Sequence, residues 1–118
     1  MFKISGKVIR GDGYGRKLGF PTANVDRREF FKLKPRPVFG VYSGQATLND
    51  KRKYRAGIII GPLDKKGVPK IEAHLIGFKG NVYGQKITVE LKRFLRKFKK
   101  FKTKAELLAQ IRKDLKKC

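Results

Sequence analysis

The sequence predicts a mainly β domain: a small antiparallel barrel of about six strands with one C-terminal α-helix packed on it. Three observations lead there. Several short segments alternate apolar and polar residues with the period of a half-buried strand. The longest of them is interrupted by glycines, as strands are where they bend to close a barrel. Only the last stretch combines a helical period with a helix-start signal.

Taken in order, Phe2, Ile4 and Val8 form the first alternating set. The run 38–48, rich in Val, Phe, Tyr, Ala and Thr, carries Gly40 and Gly44 and reads as a strand bent or bulged where another backbone comes close. Tyr54, Ala56, Ile58 and Ile60 then share one face. Ile71, Ala73 and Leu75 share another, with Glu72 and His74 on the opposite side. Ile87, Val89 and Leu91 alternate with Lys86, Thr88, Glu90 and Lys92 after a turn at Tyr83-Gly84. Turn signals at Asn49-Asp50, 61–67 and Gly80-Asn81 are short enough for antiparallel neighbours. Near the end, Thr103 and Glu106 form a T-x-x-E capping box ahead of Leu107, Leu108, Ile111 and Leu115. The spacing of Leu107, Ile111 and Leu115 puts them on one face, expected to pack against the side of the barrel.

At 118 residues the expectation is a single domain over 1–118. Thirty-one Lys and Arg against nine Asp and Glu give a net charge of +22, which points to an anionic partner. With 40% hydrophobic residues, nine Phe and four Tyr, a packed core is expected despite that charge. One cysteine, Cys118, excludes an internal disulfide or a cysteine zinc cluster and fits a reducing cytoplasm. The longest apolar run, Ile58-Ile59-Ile60, is far short of the ~20 residues that span a bilayer, so no membrane helix is expected. The N-terminus alternates and lacks the apolar stretch of a secretory signal.

The most informative stretch is G-D-G-Y-G-R-K-L-G-F-P-T-A-N, residues 11–24. Its glycines mark positions of unusual backbone or close ligand approach. It is not a P-loop, which ends in G-K-[ST], and not a dinucleotide fingerprint, for no βαβ unit follows. Taken alone, it fits a glycine-rich barrel loop with or without a ligand.

Together with other pieces, however, it resembles the riboflavin kinase family along nearly the whole chain. The resembling pieces are G-x-G-R-K-L-G-F-P-T-A-N at Gly13 to Asn24, F-G-V-Y at Phe39 to Tyr42, I-E-A-H-L at Ile71 to Leu75, V-Y-G at Val82 to Gly84, and the ending from Leu95 to Asp114. The resemblance implies a closed Greek-key barrel and transfer of the γ-phosphate of a nucleoside triphosphate, with ATP the expected donor, to the ribityl 5′-hydroxyl of riboflavin, giving FMN. It implies Mg2+ held by Thr22 and Asn24, two oxygen donors of the hard kind magnesium prefers. Gly13, Gly15, Arg16, Lys17, Gly19 and Pro21 would join them around the nucleotide phosphates. In bacteria this domain is commonly fused to an adenylyltransferase that makes FAD; such a partner does not fit in this chain, so a stand-alone kinase is expected.

By the same resemblance Glu72 is the expected catalytic base. A carboxylate is too weak to strip an alcohol in the ground state, but phosphoryl transfer asks little of its nucleophile, so orienting the hydroxyl and taking its proton late suffices. His74, two residues on, is expected to be structural, because a lone histidine has no nucleophile or co-ligand to work with. Arg96 and Phe101 are expected at the flavin; Tyr42 and Phe39 are expected in the barrel wall. The chain departs from the family at 61–69, where an R-P-T-F-like segment is usual, and at Gly77, where an Asp is usual.

The rival reading is a basic β-barrel that binds nucleic acid, with cation clusters such as Arg96-Lys97 and Lys99-Lys100 beside Phe94, Phe98 and Phe101. The cations are spread over every segment, not gathered in one strip, so the expectation is nonspecific association at low salt that falls steeply as salt rises. Flavin or nucleotide binding without catalysis is a third reading. A monomer with no membrane association is expected.

Overall fold

The computed structural model describes residues 2–10 and 19–118. Six strands, β1 (Phe2–Ile9), β2 (Ala23–Val25), β3 (Gly40–Thr47), β4 (Lys53–Leu63), β5 (Pro69–Leu75) and β6 (Lys86–Arg96), precede one helix, α1 (Lys104–Lys116). A 3-10 helix, Arg27–Lys32, follows β2. Every pairing is antiparallel and the sheet closes in the order β1-β2-β5-β4-β3-β6, with β6 returning to β1.

The alternation read from the sequence is the inside and outside of this barrel. Ile4, Ile58, Ile60, Ile71, Ile87, Val25 and Val89 are all less than 2% exposed and fill the interior. Burying each such side chain is worth ~1.5–3 kcal/mol, so this set dominates the stability of the fold. Tyr42 lies in the wall as expected, its hydroxyl donating to the Val38 carbonyl at 2.6 Å.

Gly44 explains the bend in β3. The β3–β6 register shifts between Ser43 and Gly44, and a Cβ at Gly44 would stand 2.0 Å from the Glu90 carbonyl oxygen. No other residue permits that approach.

The helix starts as its capping box predicts, with the Thr103 hydroxyl accepting from the Glu106 amide at 3.1 Å. Its docking differs from the simple expectation. Leu107, Ile111 and Leu115 face the barrel but stay only half-buried, because a cavity of about 270 Å3 separates much of the helix from the strands. Direct contact is made at the far end, where a Cβ on Gly57 of β4 would stand 3.2 Å from Leu115 Cδ2.

Two short elements lacked a sequence signal. β2 is too short to show a period, and the six-residue 3-10 helix is too short to show an apolar stripe. The latter begins where the Asp26 carboxylate accepts from the Arg28 amide at 3.0 Å. The 61–69 segment completes the β4–β5 hairpin; at its turn, Asp64 Oδ1 accepts from the amides of Lys66 and Val68 at 2.8 and 3.0 Å.

Candidate active site

The outer face of β5 and its neighbour β2 hold the residues singled out in the sequence. Asn24 and Glu72 are direct partners in the β2–β5 ladder, so their side chains leave the sheet side by side on its outer face. Thr22, just before β2, donates its hydroxyl to Glu72 Oε1 at 3.4 Å. Three side chains from two segments 50 residues apart are thereby gathered by backbone pairing.

Asn24 is 6% exposed, and its Oδ1 has no hydrogen-bond partner among the described residues. A buried carbonyl oxygen without a donor is costly unless a ligand satisfies it. Oδ1 and the Thr22 hydroxyl form a neutral oxygen pair next to a carboxylate, which suits a hard cation that retains water and phosphate ligands. No group of three or more His, Cys, Asp or Glu suited to a metal occurs among the described residues, so a cation here would lean on such ligands.

His74 fastens the segment before β2. Its Nδ1 lies 2.7 Å from the Pro21 carbonyl, which only accepts, so the ring proton is on Nδ1. Its ring also meets the edge of Phe20, with centroids 5.8 Å apart. These contacts hold Phe20 and Pro21, directly ahead of Thr22, against β5.

The 270 Å3 cavity opens beside Glu72 and runs under α1. Val41, Ile59, Phe98, Phe101, Leu107 and Ile111 supply its apolar lining, while Thr22, Glu72 and His74 stand at one side of it. Phe101, expected at the flavin, is one of the aromatic residues of this lining. Arg96 also lines the cavity, yet its guanidinium is committed elsewhere: Nε donates to both Asp114 oxygens at 3.1 Å and Nη2 to Oδ2 at 2.8 Å. Gln110 Nε2 adds a bond to Asp114 Oδ1 at 2.9 Å. This pair ties the end of β6 to α1, with side-chain exposures of 22% and 9%. Sequence reasoning missed Asp114 as a site residue, since nothing in a helix heptad marks which acid will meet an arginine 18 residues earlier.

Gly19 and Pro21 lie in the described approach to β2, and Gly19 adopts φ +89°, which favours glycine. Gly13, Gly15, Arg16 and Lys17, the other expected nucleotide contacts, lie outside the described residues. Among the described residues no helix is long and apolar enough to cross a membrane.

The sequence profile of the riboflavin kinase (flavokinase) family matches residues 1–118. A bifunctional riboflavin kinase/FMN adenylyltransferase from Buchnera aphidicola is 36% identical over 118 residues, covering 97% of this chain and 36% of that protein. The RNA-binding riboflavin kinase RibR of Bacillus subtilis is 34% identical, with 95% and 47% covered. The chain thus spans about a third to a half of the length of these relatives. Among solved structures, one described as a macrolide-efflux protein from Streptococcus pneumoniae superposes with a TM-score of 0.81 at 28% identity, over 97% of this chain and 37% of that one. A riboflavin kinase from Trypanosoma brucei shares the fold, with a TM-score of 0.65 at 23% identity over 97% of this chain and 74% of that one. With the family profile matched from end to end, the chain belongs to the riboflavin kinase family.

Proposed function

We propose that the chain transfers the terminal phosphoryl group of a nucleoside triphosphate, ATP being the expected donor, to the 5′-hydroxyl of riboflavin, giving FMN. The observation that carries this reading is the placement of Glu72 between two different environments. On one side is the apolar cavity under α1; on the other are the Thr22 hydroxyl and the buried, unsatisfied Asn24 oxygen.

Each environment suits one substrate. The cavity is close to the lower end of the ~300–1,000 Å3 usual for small-molecule sites, and its half-exposed helix side chains leave room to widen. Aromatic and aliphatic walls fit a flat flavin ring, with the ribityl chain directed toward Glu72. Thr22 and Asn24, with Gly13, Gly15, Arg16, Lys17, Gly19 and Pro21, would surround the polyphosphate. Mg2+ bound by Thr22 and Asn24 would neutralise phosphate charge there. Glu72 would orient the attacking hydroxyl and accept its proton as the bond to phosphorus forms, while the Thr22 hydroxyl keeps the carboxylate aimed. Holding acceptor and donor in line is the larger part of the catalysis. A monomeric protein in a reducing, cytoplasmic setting fits the single cysteine.

The test is incubation of the folded protein with riboflavin, Mg2+ and, separately, ATP, GTP, CTP and UTP, with FMN and nucleoside diphosphate measured by chromatography. FMN with at least one donor is the expected result; none with any donor overturns the kinase reading. Flavin fluorescence quenching without product would instead identify a binder.

The net charge of +22 favours one second reading, nucleic-acid association. One relative is named RNA-binding, but this chain spans 47% of it, so the name does not attach that property to the shared part. Association that vanishes between about 50 and 200 mM salt would be the nonspecific kind.

A further inference from the structure

Beyond Glu72, a second residue on the outer face of β5 is tied to the segment that carries Thr22. β2 is only three residues long and meets β5 at two pairs, Ala23 with Ala73 and Asn24 with Glu72. Phe20, Pro21 and Thr22 lie ahead of it and belong to no strand. Pro21 has no amide hydrogen, so it offers no donor with which to extend the ladder. The Thr22 hydroxyl reaches Glu72 Oε1 at 3.4 Å, already long for a hydroxyl donor, and a small outward shift of this segment would break the bond.

His74 supplies a connection from the β5 side. It stands two residues from Glu72 on the same outward face. Its Nδ1–H donates to the Pro21 carbonyl at 2.7 Å, and its ring meets Phe20 edge-on, at 5.8 Å between centroids and 78° between planes. One side chain thus grips both residues directly ahead of Thr22. Carried one residue beyond Ala23 and Ala73, the strand register sets Thr22 opposite His74, and both line the cavity together with Phe20 and Glu72. A side-chain donor bound to a main-chain carbonyl does here what a ladder bond does inside a sheet: it satisfies the carbonyl and fixes the backbone.

We propose that His74 is a positioning residue for phosphoryl transfer. Its bond to Pro21 holds Thr22 in register with Glu72, so it governs the nucleotide side of the reaction and leaves riboflavin binding unchanged. No proton moves to or from the ring in this role. The assignment rests on the kinase reading, whereas the hold on Thr22 can be read with no substrate present.

The test uses two variants. His74→Leu keeps comparable bulk and removes the donor; His74→Asn returns an N–H to the atom bonded to Cγ, the place of Nδ1. In the isotope-labelled protein without ligand, the amide resonances of Thr22 and Ala23 should move in His74→Leu and return toward wild type in His74→Asn, with melting temperatures close to wild type in both. With MgADP as the probe, affinity followed at the amides of Thr22 to Asn24 should weaken about fivefold in His74→Leu, as for the loss of one hydrogen bond. In the FMN-forming assay kcat should fall about tenfold in the same variant, because small misplacements near reacting groups are costly, while the KM for riboflavin stays constant. His74→Asn should recover most of both losses. Unmoved Thr22 and Ala23 resonances, equal losses in the two variants, or a raised riboflavin KM with kcat and MgADP affinity unchanged would each overturn the proposal; the last would make His74 a wall of the flavin cavity. Wild-type protein that forms no FMN while the ligand-free resonances behave as expected would overturn the kinase reading and still support the hold on Thr22.

Discussion

The interior of the barrel and the underside of α1 are built from the same aliphatic residues, yet they are finished differently. Inside, Ile58, Ile60 and Ile71 are at most 1% exposed, each covered by residues of neighbouring strands. Under the helix, Leu107, Ile111 and Leu115 remain half-buried over a cavity. The interior has consumed its hydrophobic driving force in folding. The helix face has kept part of it, available to a ligand that covers the remaining area. One strand separates the two regions: β5 sends Ile71 and Ala73 inward and Glu72 and His74 outward, so the candidate site stands on the back of the packed interior.

This contrast can be broken at several points. The largest effect is expected from Glu72→Gln, which leaves the interior untouched and removes the proposed proton acceptor; turnover should fall about 10²–10⁴-fold with the unfolding midpoint unchanged. If turnover survived within a few-fold, Glu72 would not be the base.

Next is the tether of the helix. Asp114→Ala leaves the partly buried Arg96 guanidinium without its counter-charge, at a cost near the lower end of the ~3–5 kcal/mol range for broken buried pairs. Denaturant titration should show that loss, together with a raised KM for riboflavin. Adding Arg96→Met should recover part of the stability without recovering KM.

A smaller effect is expected at the helix–strand contact. Gly57→Val would push against Leu115, and an overpacking cost of about 1.4 kcal/mol placed on the flavin-bound state corresponds to about tenfold in KM. The KM for the nucleotide should stay constant, a split that uniform destabilisation would not give.

The smallest effect lies outside both regions. Hydrogen bonds from the Arg28 side chain and amide hold the Asp26 carboxyl at about 2, below the usual 3.8. Its contribution to stability is present above pH 4 and is lost as the pH falls toward 2. Asparagine still caps the 3-10 helix, so Asp26→Asn should flatten that acid limb slightly and change little else, as measured by melting temperature against pH.

The interior was legible in the sequence because a closed barrel imposes a strict period of two, and strands β3 to β6 are long enough to display it. The Thr103 and Glu106 pair likewise announced α1, since the bond from the Glu106 amide to the Thr103 hydroxyl is local. Glu72 and Thr22 could be named from the family resemblance, but their 3.4 Å meeting depends on pairing across 50 residues that no local pattern encodes. The cavity was harder to foresee. A helical stripe of Leu and Ile reads the same whether it packs tightly or stands off, and here the Arg96–Asp114 pair and the Gly57–Leu115 contact set the spacing. Arg96 was expected at the flavin from the family resemblance; in the structure its guanidinium is bonded to Asp114 and ties the cavity wall to α1.

The pairing of Asn24 with Glu72 lies in β2, the shortest strand of the barrel, and β2 is what joins β1 to β5. Circumferential closure and assembly of the candidate site therefore depend on the same short strand. Any fluctuation that parts β2 from β5 abolishes the site and uncovers the core together. Amide exchange at Ala23 to Val25 should consequently report the lifetime of the assembled site.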